Sequence, residues 1–215
     1  AKAAGIKPII GCEAYITSGS HKEKPSRESN FHFTLLAENE TGYRNLVKLI
    51  SAAHLDGFYY RPRIDKDLLA SRADGLIGLS GCLASEINSA LQSGNVEKAQ
   101  NLTAEYRDIF GPRNFFIELH DHGMAEQKQC NAHLPKFARE FGLGLVAAND
   151  VHFLRRSDHR AHDVLLCINT ATKIEDEQRM RYEPELYFKS PTEMREIFRD
   201  FPEAITNTLE IADRC

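Results

Sequence analysis

The sequence lacks the features that would assign it to several classes of protein. No apolar run approaches the roughly 20 residues that a membrane-spanning helix needs, so a membrane protein is not expected. Positive charge is not in excess, since the formal net charge is −4, and any contact with nucleic acid would have to be local. The chain begins with neither Met nor a signal peptide. Its opening resembles the tail of a helix capped by Gly5, which predicts a fragment that begins in mid-fold.

Paired cysteines are also missing. The five Cys residues are odd in number and show no paired spacing, so no disulfide framework is expected and a reducing cytoplasm fits better. What is present is an ordinary composition for a soluble globular protein, with 42% hydrophobic and 27% charged residues in 215. No internal repeat or linker divides the chain, which predicts a single domain over residues 1–215.

Short apolar runs alternate with amphipathic helical patterns along the chain. Strands are predicted over residues 7–15, 31–37, 75–79, 114–119 and 144–148. Helices are predicted over residues 84–91, 96–110, 124–141 and 157–168. A further helix is predicted from an N-cap at Thr41 to just before Gly57. Two more are predicted near the end of the chain, one starting at a capping box at 190–193 and one starting after Pro202. This alternation is typical of an α/β fold with a parallel sheet or a (β/α) barrel.

Potential metal ligands stand at the ends of several of these apolar runs. In chain order they are Glu13, His32, Cys82, His120, His122, Asp150 and His152. The carboxyl ends of parallel strands carry the chemistry in barrels and open α/β sheets. Carboxylate, imidazole and thiolate are ligands for Zn²⁺ or Mn²⁺, and Cys favours zinc. Two or more such ions about 3.5–4 Å apart would suit hydrolysis of a phosphate ester.

Each of these residues also has a structural interpretation. Glu13 could be a surface charge, His32 a packed ring, Cys82 a small core residue and Asp150 a turn cap, while the segment 120–122 could form a turn before Gly123. The aromatic and Arg-rich segment 57–65 could clamp a nucleic-acid strand or form a packed loop with salt bridges. The arginines of 179–181 are interpreted as solvated charges.

Taken together and in order, several segments resemble a known family. They are KPIIGCE at 7–13, LLAEN at 35–39, GFYY at 57–60, LSGCL at 79–83, IEL and DHG within 117–123, NDVH at 149–152, AHDVLLCI at 161–168, KSP at 189–191 and PEA at 202–204. The set resembles the PHP (polymerase and histidinol phosphatase) domain of the alpha subunit of bacterial DNA polymerase III, the C-family replicase. The resemblance covers essentially the whole chain.

The resemblance implies a distorted (β/α)7 barrel with up to three divalent metals, Zn²⁺ or Mn²⁺, at the strand ends. The metal ligands it implies here are Glu13, His32, Cys82, Asp150 and His152. The resemblance assigns His122 to the site less firmly than these five ligands, and His120 less firmly again. His122 is the candidate catalytic residue, for stabilising the leaving oxygen. The implied activity is metal-dependent hydrolysis of phosphate esters, in particular 3′–5′ exonuclease proofreading within a DNA polymerase.

The chain departs from the family in one respect. The family's opening strand with a His-x-His pair, and the Asp-His-Gly segment soon after it, do not precede Ala1. We therefore expect an incomplete barrel without its first βα units, and fewer metals than in a complete domain. The polymerase site with its Mg²⁺ would lie outside this chain, in a cytoplasmic protein whose partners are DNA, a separate proofreading exonuclease and the sliding clamp. A degenerate scaffold that binds such partners, or a stand-alone phosphatase, are the alternatives.

Overall fold

The computed structural model of this chain describes residues 1–25 and 30–215. The strands are β1 (Gly11–Ile16), β2 (Phe31–Ala37), β3 (Phe58–Tyr59), β4 (Arg61–Ile64), β5 (Leu76–Leu79), β6 (Phe115–Leu119) and β7 (Gly144–Ala147). The helices are α1 (Glu40–Leu55), α2 (Lys66–Ala70), α3 (Glu86–Gln92), α4 (Val96–Phe110), α5 (Ala125–Asn131), α6 (Leu134–Phe141), α7 (His159–Thr170), α8 (Pro191–Ile197) and α9 (Pro202–Arg214). Short 3-10 segments lie at Lys2–Ala4 and Arg156–Asp158.

The strands of the described residues form one sheet in the order β3-β4-β1-β2-β5-β6-β7. Strand β1 is parallel to β4, and β5, β6 and β7 are parallel to one another, but β2 is antiparallel to both of its neighbours. The expectation of a parallel sheet is therefore wrong for β2. The predicted α/β class is confirmed, and the arrangement is consistent with a PHP-type barrel that is not closed within the part of the chain described.

An aromatic cluster forms the centre of the main core. Phe33 of β2 is 1% exposed, and its ring stacks on Tyr106 and Phe110 of α4 and on Phe115 of β6. Every residue of β5 and β6 is buried, because helices cover both faces of this part of the sheet. On the second face Phe116 and its neighbours pack against Ile211 of α9. The core thus fixes the strands whose ends carry the candidate ligands.

Two predicted elements differ from the structure by more than two residues in their bounds. The first strand begins at Gly11 rather than at residue 7, and Pro8, which has no N–H to donate to a ladder, lies in the part that does not join it. The helix predicted over 124–141 is two helices, α5 and α6. Pro135 cannot donate to the carbonyl of Asn131, so the helical hydrogen bonding of α5 is interrupted there. The capping box at Ser190 and Glu193 is confirmed, with both of its hydrogen bonds formed.

The segment 57–65 forms the short antiparallel pair β3–β4, which the sequence analysis did not predict. Arg63 is 1% exposed, and its guanidinium donates to the main-chain carbonyls of Gly57, His21 and Glu23. Its guanidinium also lies over the ring of Tyr59, 5.3 Å from the ring centroid. For Arg63 the packed interpretation therefore holds, with carbonyl oxygens rather than carboxylates as partners.

Candidate metal centre

One cavity of about 260 Å³ gathers the predicted site residues at a single edge of the sheet. The predicted residues that line it are Glu13, His32, Cys82, His122, Asp150 and His152. They come from β1, from the start of β2, and from segments that follow β5, β6 and β7. His120 is not part of this lining and lies behind it, in a much smaller cavity.

The reversed direction of β2 explains how His32 reaches this edge. A residue near the start of an antiparallel strand lies beside the carboxyl ends of its neighbours, and His32 pairs with Tyr15 near the end of β1. Glu13 pairs with Thr34, so Glu13 and His32 are diagonal neighbours whose side chains share one face of the sheet. The sequence pattern alone did not reveal this reversal.

Glu13, His32 and Cys82 form a compact group of three different donors. Glu13 Oε1 lies 2.7 Å from His32 Nδ1, and Cys82 Sγ lies 3.5 Å from the same nitrogen. One ligand atom from each residue lies within 4.8 Å of the others, a spacing that could hold a metal ion. A carboxylate, an imidazole and a thiol together suit a zinc-type cation, so the residues present fit the predicted group.

Asp150 and His152 approach from the segment after β7. Asp150 has a φ of 46°, in the left-handed region, where Asp and Asn are the most tolerated residues after Gly. His152 Nδ1 donates to the carbonyl of Asp150 at 2.6 Å, and its main-chain N–H donates to Leu186 at 2.9 Å. With the proton fixed on Nδ1, the other ring nitrogen, Nε2, retains a lone pair for a metal ion.

His122 and His120 are engaged with protein groups instead. His122 Nε2 donates to the carbonyl of Asn149 at 3.0 Å, and His122 Nδ1 accepts from Gln127 at 2.8 Å. Burial, together with the charge of His120, lowers the pKa of His122 and keeps its ring neutral. Burial opposes a charge on His120, but Glu118, 3.2 Å away, helps to raise its pKa. The catalytic role of His122 stays a prediction.

Sequence reasoning missed residues 181–186 as part of the site. Arg181, Tyr182 and Leu186 line the cavity, and the ring of Tyr182 lies 4.4 Å from that of His152. Arg179 is not a solvated charge as predicted: its side chain is 4% exposed and pairs with Asp163 of α7. No periodicity marks this segment, so only the fold could reveal it.

The contact between Glu13 and His32 predicts a pH dependence. Hydrogen bonds with Cys82 and Glu13 raise the pKa of His32 to about 10, against the opposing effect of burial. Because folded His32 binds its proton more tightly than the unfolded chain does, protonation of His32 stabilises the folded state. This stabilisation is complete below the pKa of unfolded His, near 6.5, and is lost as the pH rises towards 10. We expect the free energy of unfolding of the metal-free chain to fall over that interval.

Urea unfolding at a series of pH values, with a chelator present, measures this effect. The His32→Gln variant should show a shallower fall than the wild type, whereas His54→Gln, at an exposed position of α1, should follow the wild-type curve. Parallel curves for the wild type and His32→Gln would contradict the assignment of a raised pKa to His32.

Comparison with known proteins identifies one matching family and several similar proteins. Residues 1–122 match the PHP domain family. The whole chain is similar to the DNA polymerase III subunit alpha of Borreliella burgdorferi (45% identical over 219 residues) and of Thermus aquaticus (46% over 223). The corresponding subunit of Treponema pallidum is 42% identical over 217 residues. These alignments cover 99–100% of this chain and 18–19% of the relatives, so the chain spans about a fifth of their length.

None of the helices in the described part of the chain is long and apolar enough to span a membrane.

Proposed function

Because this chain belongs to the PHP domain family, we propose that it is the PHP domain of a bacterial DNA polymerase III alpha subunit and acts as a metal-dependent phosphoesterase. The proposed reaction is 3′–5′ exonucleolytic removal of nucleotides from DNA. The observation that carries the proposal is the convergence of carboxylate, imidazole and thiol donors from separate strands on one cavity. That donor set supports Zn²⁺ or Mn²⁺ as the resident ions.

The residues of the chain have distinct roles in this proposal. Glu13, His32 and Cys82 would hold an ion from the β1–β2 side, and Asp150 and His152 would hold one from the side of β7. The bound cations would activate water and neutralise the charge that develops on the phosphoryl oxygens. The Nδ1–H bond of His152 to the Asp150 carbonyl would leave Nε2 as the ring nitrogen available to a cation.

His122 is our candidate for stabilising the leaving oxygen. Its Nε2–H is the group that could donate to that oxygen, and it would have to exchange the carbonyl of Asn149 for the substrate. Gln127 would hold the ring during this exchange, because it accepts from the main-chain N–H of His122 and donates to Nδ1.

The relatives give the proposed context. We propose that the full-length protein is a cytoplasmic, DNA-directed DNA polymerase whose synthetic site uses Mg²⁺ and lies outside this chain. Its partners would be DNA, the sliding clamp and a separate proofreading exonuclease.

A non-catalytic scaffold is the second candidate function. The observation that favours it is a set of exposed apolar side chains on adjacent turns of α7: Val164, Leu165 and Ile168 are 42%, 50% and 71% exposed. Exposed apolar residues that lie together mark surfaces for contact with other proteins. In this alternative the domain would hold a partner subunit, and the cavity would contribute nothing to catalysis.

Metal removal separates the two candidates. We expect dialysis against a chelator to abolish the 3′–5′ exonuclease activity of the full-length protein, purified free of any separate exonuclease subunit. Zn²⁺ or Mn²⁺ should restore the activity, with excess Mg²⁺ present throughout so that nucleotide incorporation is unaffected. Full nuclease activity after removal of the metals, or none at any stage, would contradict the proposed function.

A further inference from the structure

The turn that carries Cys82 is held from behind by a buried carboxylate. Glu118 of β6 is 7% exposed, and its Oε2 accepts from the main-chain N–H of Gly81 at 2.8 Å. The main-chain N–H of Glu118 donates to Ser80 Oγ at 2.9 Å. Glu118 therefore contacts two consecutive residues of the turn that leads from β5 to Cys82.

The second carboxylate oxygen of Glu118 has a different partner. Oε1 accepts from His120 Nε2 at 3.2 Å, and the two side chains are 8% and 7% exposed. Both residues line a small cavity behind the candidate metal centre rather than the centre itself. Because Glu118 is not among the residues that line the larger cavity, it would act on a bound ion only through the groups it holds.

The turn itself leaves little freedom for Cys82. Gly81 has a φ of 82°, and a Cβ at that position would lie 2.7 Å from the carbonyl oxygen of His32. Asn88 of α3 donates to the carbonyls of Gly81 and Cys82, at 3.3 and 2.9 Å. The N–H of Gly81 is thus fixed by Glu118 and the following carbonyls by Asn88, which sets the direction in which the Cys82 side chain meets His32.

We propose that Glu118 is a positioning residue that holds the Cys82 sulfur at the metal centre through the N–H of Gly81. Its other oxygen accepts from His120, which holds the carboxylate in one orientation. This inference rests on the proposed function, because the position of the sulfur has a consequence only when the cavity binds a cation. Partners that orient metal ligands in this way commonly change metal affinity about 10–100-fold when they are removed.

Two substitutions remove the contacts of Glu118 in steps. Glu118→Leu keeps the apolar bulk and removes both acceptors, so the N–H of Gly81 and the Nε2–H of His120 are left buried without partners. Glu118→Gln retains one amide oxygen, which can still accept from Gly81. If Glu118 acts through Gly81, Glu118→Gln should retain most of the metal affinity that Glu118→Leu loses.

Titration of the metal-free full-length protein with Co²⁺ tests the proposal without an activity assay. The absorption to follow is the thiolate-to-cobalt charge-transfer band, which Cys82→Ser identifies by its disappearance. We expect Glu118→Leu to weaken Co²⁺ binding by about 10–100-fold and to diminish or shift this band. Glu118→Gln should show a smaller change in both measurements.

Glu86 supplies a matched control. It is 6% exposed, and its carboxylate contacts Lys66 at 2.9 Å and Tyr106 at 3.2 Å rather than the turn of Cys82. Glu86→Leu should lower thermal stability but leave the charge-transfer band and the Co²⁺ affinity unchanged. A wild-type band and affinity in Glu118→Leu, or the same loss in Glu86→Leu, would overturn the role of Glu118 alone. A wild-type protein without a Cys82-dependent band would overturn the proposed metal centre and this inference with it.

Discussion

Replacement of Asp150 by Asn is expected to lower the 3′–5′ exonuclease rate of the full-length protein by roughly 100-fold or more. Asn has the shape of Asp and is equally tolerated at a φ of 46°, so the backbone after β7 should keep its conformation. The substitution removes the negative charge of Asp150 from the cavity that Glu13, His32 and Cys82 also line. A divalent cation in the cavity would lose an anionic ligand, and the metal content should fall together with the rate.

Asp121→Asn is the control for this substitution. Asp121 lies between His120 and His122, and its Oδ1 accepts from the N–H of Gly123 at 3.0 Å, a contact that Asn retains. Asp121 does not line the cavity, so this variant should keep both the exonuclease rate and the metal content. The measurements are a single-turnover exonuclease assay and elemental analysis of the purified proteins. Wild-type nuclease activity in Asp150→Asn would contradict the proposed mechanism, because the activity would then not depend on this cavity.

Replacement of Phe33 by Ala is expected to lower the free energy of unfolding by about 3–5 kcal/mol. The Phe33 ring is 1% exposed and lies 4.7 Å from Tyr106, 5.6 Å from Phe110 and 6.1 Å from Phe115, measured between ring centroids. Its removal leaves a cavity among three aromatic rings from α4 and β6, which cannot all move to fill it. Phe33 also anchors β2, and the adjacent residue of this strand, His32, lines the candidate metal centre.

Urea unfolding of the chain, followed by circular dichroism, measures this loss. Phe188→Ala serves as the control, because the side chain of Phe188 is 67% exposed and its removal should change the free energy of unfolding by no more than about 0.5 kcal/mol. A loss below about 1 kcal/mol in Phe33→Ala would show that the aromatic cluster is not a close-packed centre of the core.

Several elements could be predicted because their signals are local. β2 and α4 have the predicted bounds, 31–37 and 96–110, since a short apolar run and an amphipathic period depend on nearby residues alone. The capping box at Ser190 likewise depends on a side chain three residues away. The division of the predicted helix 124–141 had a local signal as well, Pro135, which the sequence analysis did not use.

The sequence by itself determined which candidate ligands the chain carries and in what order they follow one another: Glu13, His32, Cys82, Asp150 and His152. These residues could be identified because each one lies in or just after a short apolar run of the sequence. The tertiary structure decided that β2 runs against its neighbours, which brings His32 beside Glu13. It also decided that residues 181–186 line the cavity and that Glu118 contacts the turn of Cys82. These arrangements depend on contacts between residues far apart in the chain, and no local pattern encodes such contacts.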